Sequence, residues 1–422
     1  MEYPPLMELG KDIFPKDAIA RAKELYDEIG SIGAYSHSQG IPYIRKQVTK
    51  FIEGMHVLWR GRFACLTLAT ERDGYPSDWN HIFLSAGASA GVDLLVDVLI
   101  SSPTSGILIP IPQYPLYTAT LARHNGIPIP YYLDETPNGW TTNIDEVERS
   151  IQKALSENIE PKALVIINPG NPVGSVLGLD EQKALVKLCE KYNIVLIADE
   201  VYQVNIHTRD THTFTSFKKV VRMLDSPVPL VSFHSISKGV TGECGRRGGY
   251  FEVANVADET IALLYKMVSI SLCMPVGGQI GVDCMVRPPK VGDESYARWK
   301  EETDAIHNAL AARTVVMATR LNALPGMSCS PSPGALYLFP RLHLPPAALR
   351  AADEAGRTPD GFYAHALLDE TGICAISGDG FRQKDGQAHF RLTCLCAGVD
   401  EYVGKLEKFH RGFMAKYGGG EQ

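Results

Sequence analysis

Lys238 follows the apolar run Leu230 to Phe233 in the string Ser232-Phe233-His234-Ser235-Ile236-Ser237-Lys238-Gly239, and Gly245-Arg246-Arg247-Gly248-Gly249 comes within one short loop. An amine, several hydroxyls, a guanidinium and free backbone N–H groups are thereby gathered at one strand end. That set suits an aldehyde that carries a phosphate. The amine can form a Schiff base, and the serines, arginine and N–H groups can take the dianion through charge-assisted hydrogen bonds. A surface lysine on a basic loop is the plain alternative.

Five further strings carry residue types fit for the same chemistry. Gly87-Ala88-Ser89 follows a short apolar run and opens a helix, where unsatisfied N–H groups and the positive dipole end favour a phosphate and Ser89 adds a hydroxyl; a simple helix cap reads the same way. In Pro112-Gln113-Tyr114-Pro115-Leu116-Tyr117 the prolines fix a turn, and Tyr114 suits stacking on a flat heterocycle as well as core packing. Asn168-Pro169-Gly170-Asn171-Pro172-Val173-Gly174 is a heavily constrained loop in which an amide can donate to a phenolate-like oxygen. Asp199, in Ala198-Asp199-Glu200-Val201-Tyr202, ends a strand expected to be buried on both faces, where a carboxylate is costly unless a cation pairs with it. A protonated pyridine nitrogen would serve, as would a structural arginine; Tyr202 could then reach the ring oxygen beside Asn171. Arg391, in His389-Phe390-Arg391-Leu392-Thr393, calls for a planar anion, either a substrate carboxylate held bidentately or a salt-bridge partner. One cofactor answers to all of these groups, pyridoxal 5'-phosphate.

The elements that must position these residues are legible in the hydrophobic pattern. From about residue 80 to 255, short aliphatic runs alternate with helical patterns, which predicts a mostly parallel sheet with helices on both faces. Strands are expected at Ile82 to Ser85, Ile107 to Ile111, Ile127 to Tyr132, Ala163 to Ile167, Ile194 to Ala198, Leu230 to Phe233 and Gly248 to Val253. Ligands of such sheets bind at the carboxyl ends of the strands, and each string above lies at one. A long helical pattern over Glu294 to Leu324 then leads into strands near Leu336 to Phe339, Ile373 to Ile376 and Phe390 to Cys394. We expect a terminal segment over 1–15, a large cofactor-binding α/β domain over 16–305 and a small α+β domain over 306–422.

Size and composition are those of an ordinary globular protein: 422 residues, 21% of them charged, with a formal net charge of -7 that argues against nucleic acid as a partner. No stretch has the length and purity of a membrane-spanning helix. The nine cysteines are scattered and complete no metal site, which suggests reduced thiols in an intracellular, cytoplasmic setting. A mitochondrial setting would follow if a targeting segment preceded this chain.

Long strings resemble one family. Gly33-Ala34-Tyr35-Ser36-His37-Ser38-Gln39-Gly40, Ile109 to Tyr117, Ile167 to Gly174, Ala198 to Gln203, Ser232 to Gly239 and Gly242 to Gly245 are similar to fold-type I pyridoxal-phosphate aminotransferases, and within them to alanine aminotransferases. The resemblance runs from about Phe14 onward. It implies that Lys238 is the Schiff-base lysine and proton shuttle, that Asp199 pairs with the pyridine nitrogen, and that Asn171 and Tyr202 serve the ring oxygen. Tyr114 would stack on the ring. Ala88, Ser89, Ser235, Ser237 and Arg247 would hold the phosphate; Arg247 is chosen over Arg246 because Arg246 stands where the family usually has an aromatic residue. Arg391 would clamp the α-carboxylate. Tyr35 would reach the phosphate of a neighbouring subunit, which implies a homodimer. The implied reaction moves an amino group between L-alanine and 2-oxoglutarate, with a glyoxylate or other 2-oxo-acid aminotransferase, or a catalytically impaired relative, as the alternatives. Two departures stand out. The family's N-terminal region, with a glycine-containing closing loop, precedes the point where Met1 falls. The stretch 54–70 interrupts the resemblance, and we read it as a retained in-frame intron or gene-model error, with a genuine surface insertion as the other reading.

Overall fold

The structure, a computed structural model, describes residues 4–54, 72–240 and 242–418. The expected insertion at 54–70 lies, apart from Gly54, outside the described residues. Helices α1 (Pro4–Leu9), α2 (Lys16–Ile29) and α3 (Pro42–Glu53) come first. Proline at the first turn starts α3 and Gly54 in the left-handed region ends it, the usual asymmetry of helix termini. Then follow β1 (Ile82–Ser85), α4 (Ala88–Leu99), β2 (Ser105–Ile111), α5 (Leu116–Arg123), β3 (Ile127–Tyr132) and a hairpin of β4 (Asp134–Thr136) and β5 (Gly139–Thr141). The chain continues through α6 (Ile144–Ser156), β6 (Glu160–Ile167), α7 (Leu179–Tyr192), β7 (Val195–Asp199), α8 (Phe217–Met223), β8 (Leu230–Ser235) and β9 (Gly249–Ala254).

Seven of these strands form one sheet in the order β1-β9-β8-β7-β6-β2-β3. The pairs from β8 to β3 are all parallel, and β9 alone runs against both of its neighbours. Helices therefore cover both faces, and β2 and β8 are buried along their whole length, as strands with two covered faces must be. One face packs Leu164, Ile166, Leu196 and Ala198 against α6, α7 and α8; the other packs Val165, Ile197, Phe233 and Phe251 against α4 and α5.

Beyond the sheet come α9 (Asp258–Ile270), α10 (Val276–Val286) and α11 (Tyr296–Asn322), the last running unbroken through residues 305 and 306. Short strands β10 (Met327–Ser328), β11 (Tyr337–Leu338), β12 (Arg341–Leu342), β13 (Ile376–Ser377) and β14 (Phe390–Thr393) interleave with α12 (Pro346–Glu354), α13 (Pro359–Thr371) and α14 (Val399–Gly418). β14 lies between β11 and β13, antiparallel to both. The strand expected at Ile373 to Ile376 begins only at Ile376, because Gly372 caps α13 and the next residues are spent leaving it. The helix α10 was absent from the expectations: its glycines and β-branched residues give it little helix propensity, and it is held by packing against α3 in a cluster with Ile44, Val48 and Ile52. Among the described residues no helix is long and apolar enough to cross a membrane, and no group of side chains could hold a metal ion.

Candidate functional site

β1, β2, β6, β7 and β8 all end on one edge of the sheet, and the loops that leave them carry the candidate residues. At the floor is Asp199, buried at the last position of β7. Its Oδ2 accepts the Tyr117 hydroxyl at 2.8 Å, and its Oδ1 accepts the Val201 N–H at 3.5 Å. Burial pushes its carboxyl above the usual range, and the Tyr117 bond, the Val201 N–H and the positive charge of Lys238 draw it only partly back. Tyr117 itself is fully buried in the first turns of α5, and burial next to Asp199 raises its hydroxyl well above the ordinary value, so it stays a proton donor.

Lys238 leaves the sheet three residues after β8, its Nζ 5.3 Å from the centre of the Tyr202 ring. The peptide after it is pinned from both sides: the Gly239 N–H donates to Asn205 Oδ1 at 3.0 Å, and Asn205 Nδ2 donates to the Gly239 carbonyl at 3.2 Å. Asn205 is buried, so this amide-to-peptide pairing fixes the turn that aims the lysine. The Tyr202 hydroxyl donates to the Tyr337 hydroxyl at 3.2 Å, and burial raises it well above the usual tyrosine range. Arg391, on β14, donates to Asn171 Oδ1 at 3.1 Å and lies 4.2 Å over the Tyr337 ring and 4.9 Å over the Phe381 ring. With its carbonyl oxygen engaged, Asn171 keeps an N–H pair to donate elsewhere.

A second cluster sits at the other end. The Arg247 guanidinium donates to the Ala86 carbonyl at 2.7 Å and to Ser89 Oγ at 3.1 Å. Gly87, at φ 76°, turns the chain into α4, and a Cβ there would run into that guanidinium. Gly249 allows β9 to pass directly beneath the Gly87-Ala88 peptide. Ser235 and Ser237 share a hydrogen bond of 3.0 Å, and the Ser237 N–H donates back to Ser235 Oγ. A helix start with no side-chain cap, an arginine and serine hydroxyls are the kinds of group that suit a dianion.

The structure thus joins Lys238, Asp199, Tyr202, Asn171 and Arg391 in one set of contacts and Ser89 with Arg247 in another. It leaves Tyr114 41% exposed on the turn before α5 and Tyr35 82% exposed on the loop before α3. Neither is hydrogen-bonded through its side chain to the other candidates among the described residues. Sequence reasoning missed Tyr117, Asn205 and Tyr337. Tyr117 carried a signal, a hydroxyl in the first turn of a helix that must face the sheet. Tyr337 was the one polar group in Leu336-Tyr337-Leu338-Phe339. Asn205 carried none, because its partner is a backbone peptide distant in the chain.

The model of the family described as aminotransferase class I and II matches residues 5–406. The chain belongs to that family. It is 44% identical over 435 residues to the alanine aminotransferase, mitochondrial, of Saccharomyces cerevisiae, covering 99% of this chain and 69% of the yeast protein. It is 43% identical over 412 residues to glutamate–glyoxylate aminotransferase 1 of Arabidopsis thaliana, covering 96% of this chain and 82% of that one. Among solved structures, the alanine aminotransferase of Pyrococcus furiosus superposes with a TM-score of 0.74 at 22% identity, covering 92% of this chain and 87% of that one, which shows the fold. The chain is therefore a fold-type I, pyridoxal-phosphate-dependent transaminase. Its donor set fits that cofactor: a buried carboxyl short of a cation, an amine within the same contact set, and a glycine-lined cradle for a phosphate.

Proposed function

We propose that this enzyme moves the amino group of L-alanine to 2-oxoglutarate, giving pyruvate and L-glutamate, at the site built around Lys238. The observation that carries the reading is 44% identity to an alanine aminotransferase over 99% of the chain, on a site whose arginine, amine and buried carboxyl suit that chemistry. Bound there, pyridoxal phosphate supplies a carbonyl for amines and a cationic ring that draws electrons from the substrate α-carbon. Asp199 would hold the positive charge on the ring nitrogen, and Asn171 and Tyr202 would donate to the ring oxygen. Ala88, Ser89, Ser235, Ser237 and Arg247 would hold the phosphate, and Tyr114 would stack on the ring. Arg391 would bind the α-carboxylate of the amino acid and so orient its α-carbon toward Lys238. Lys238 Nζ would be the general base and then acid for the proton of the substrate α-carbon.

Two further readings accompany this one. Tyr35 is exposed, as are Leu263, Ile270 and Leu272 on and just after α9, and the Tyr35 loop meets α9 where His37 packs on Tyr265. Exposed apolar side chains are what an interface would cover, and we propose a homodimer in which Tyr35 serves the partner's phosphate site. We also propose that the chain divides near residue 305, within α11, into a large cofactor-binding part and a small one.

The test is a pair of half-reactions on purified protein loaded with pyridoxal phosphate. L-alanine should convert the visible band and release pyruvate, and 2-oxoglutarate should restore the band. Lys238→Ala should do neither. Preference for L-glutamate with glyoxylate over alanine with 2-oxoglutarate would move the assignment to a glyoxylate aminotransferase, the activity named for the Arabidopsis relative. Light scattering checks the dimer, and a mass of one chain would refute it.

A further inference from the structure

Arg391 is connected to the centre of the site by two arms. One is its hydrogen bond to Asn171. The other runs through Tyr337, whose ring lies 4.2 Å under the guanidinium and whose hydroxyl is 3.2 Å from that of Tyr202. The rings of Tyr337 and Tyr202 meet edge to face at 6.0 Å, so the hydroxyl contact is backed by packing. Tyr337 is also fixed at its backbone: β11 pairs it with Thr393 on β14, the strand that carries Arg391, and Ser332 Oγ donates to its carbonyl at 2.8 Å. It cannot swing away from one partner without leaving the other.

We propose that Tyr337 is a positioning residue that couples the carboxylate site at Arg391 to the hydroxyl of Tyr202. The inference rests on the reading above, in which Tyr202 donates to the ring oxygen of the bound cofactor. A hydroxyl has one proton to give and two lone pairs to accept with. When Tyr202 turns its proton to the ring oxygen, its lone pairs are free to take the proton of Tyr337, and each bond in such a chain strengthens the next. The better the charge on that oxygen is satisfied, the less tightly the nitrogen of Lys238 beside it holds a proton. A carboxylate arriving at Arg391 reduces the field over the Tyr337 ring and shifts the stacked pair, so the proton affinity at Lys238 responds to substrate through Tyr337 as well as through Asn171.

The experiment is a double-mutant cycle read by absorbance. Wild type, Tyr337→Phe, Tyr202→Phe and the double variant are loaded with pyridoxal phosphate, and the visible band is titrated against pH with and without propionate, the carbon skeleton of alanine without its amine. Tyr337→Phe keeps the ring over Arg391 and removes only the hydroxyl. We expect it to raise the proton affinity reported by the band about three- to tenfold, the range of one neutral hydrogen bond, and to reduce the shift that propionate produces. In the Tyr202→Phe background the same change should do nothing. A wild-type midpoint in Tyr337→Phe, or equal shifts in both backgrounds, overturns the coupling while a band dependent on Lys238 leaves the cofactor reading intact. A protein with no band dependent on Lys238 overturns both.

Discussion

Asp199 and Glu200 are neighbours in the chain, both buried at the end of β7, and they point to opposite sides of the sheet into opposite electrostatic situations. Asp199 meets one tyrosine hydroxyl and one long N–H bond. Glu200 belongs to an ion-pair network: Arg72 reaches it at 3.2 Å, the Phe217 N–H donates to it at 2.7 Å, and Arg72 also touches Asp73 and Tyr250. Lys218 pairs with Glu252 at 2.5 Å in the same neighbourhood. Burial lowers Arg72's affinity for its proton, but Asp73, Glu200 and Glu252 more than offset that and hold it above the usual value. Three carboxyls face two cations there, and burial pushes Glu200 up to about 8. The contrast separates two uses of buried charge. A carboxyl tied into ion pairs within the fold is structural, whereas a buried carboxyl with no ion pair among the described residues is a candidate receptor for a cation.

The comparison can be broken at each side, and the largest effect is expected at Lys238. Lys238→Ala should lower turnover about a thousandfold or more, the scale of a lost acid–base group, with the melting temperature of the cofactor-free protein nearly unchanged. Turnover within tenfold of wild type would remove Lys238 from the chemistry.

Disturbing the two sides should give opposite results. Arg72→Met leaves Asp73 and Glu200 without their cation and should destabilise the fold by about 3–5 kcal/mol, the cost of breaking a buried pair from one side, while turnover per folded molecule stays within about twofold. Asp199→Asn should lower turnover about a hundredfold or more, since it removes the partner of the ring nitrogen. In the cofactor-free protein it should stabilise. The sign follows from linkage: the carboxyl of Asp199 is raised in the folded state, so wild type loses stability as pH rises above the unfolded value near 3.8. The Asn variant should therefore gain on wild type as pH rises above about 4, and denaturant melts from acid to neutral pH measure it. A constant gap would mean that Asp199 is compensated after all.

How much of this was legible in the sequence divides along the same line. The strand ends and Lys238, Asp199, Asn171 and Arg391 were readable, because a strand in a two-sided sheet is a continuous apolar run and a charged or amide residue at its end stands out. The helix start at Gly87-Ala88-Ser89 was readable, because small residues follow a short apolar run there, but the close approach of Arg247 to Gly87 was not. The ion-pair network on the other face was not. The Arg72-Asp73 pair, Lys218 and Glu252 lie far apart in sequence, and each looks like an ordinary surface charge until the sheet brings them together. Tyr337 and Asn205 escaped for a related reason. Their roles lie in contacts to Tyr202 and to the Gly239 peptide, and no local periodicity records a contact of that kind.

The smallest effect tests the structural face by acid. His234, buried on the same side as Glu200, stacks on Phe51 and meets the edge of Tyr250. Burial, with the charge of Arg72 adding to it, drives its pKa down to about 3. A histidine held neutral when folded but free to protonate when unfolded makes the unfolded chain bind more protons over about pH 3 to 6.5, so stability falls as pH drops through that window. Replacing it by Phe, which keeps the stacking face, should flatten that slope by about one proton and leave turnover at neutral pH unchanged, because His234 faces away from the site. Denaturant melts at several acid pH values read the slope directly. An unchanged slope would show that His234 takes up its proton in the folded state as it does in the unfolded one, adding a cation to the face opposite Asp199.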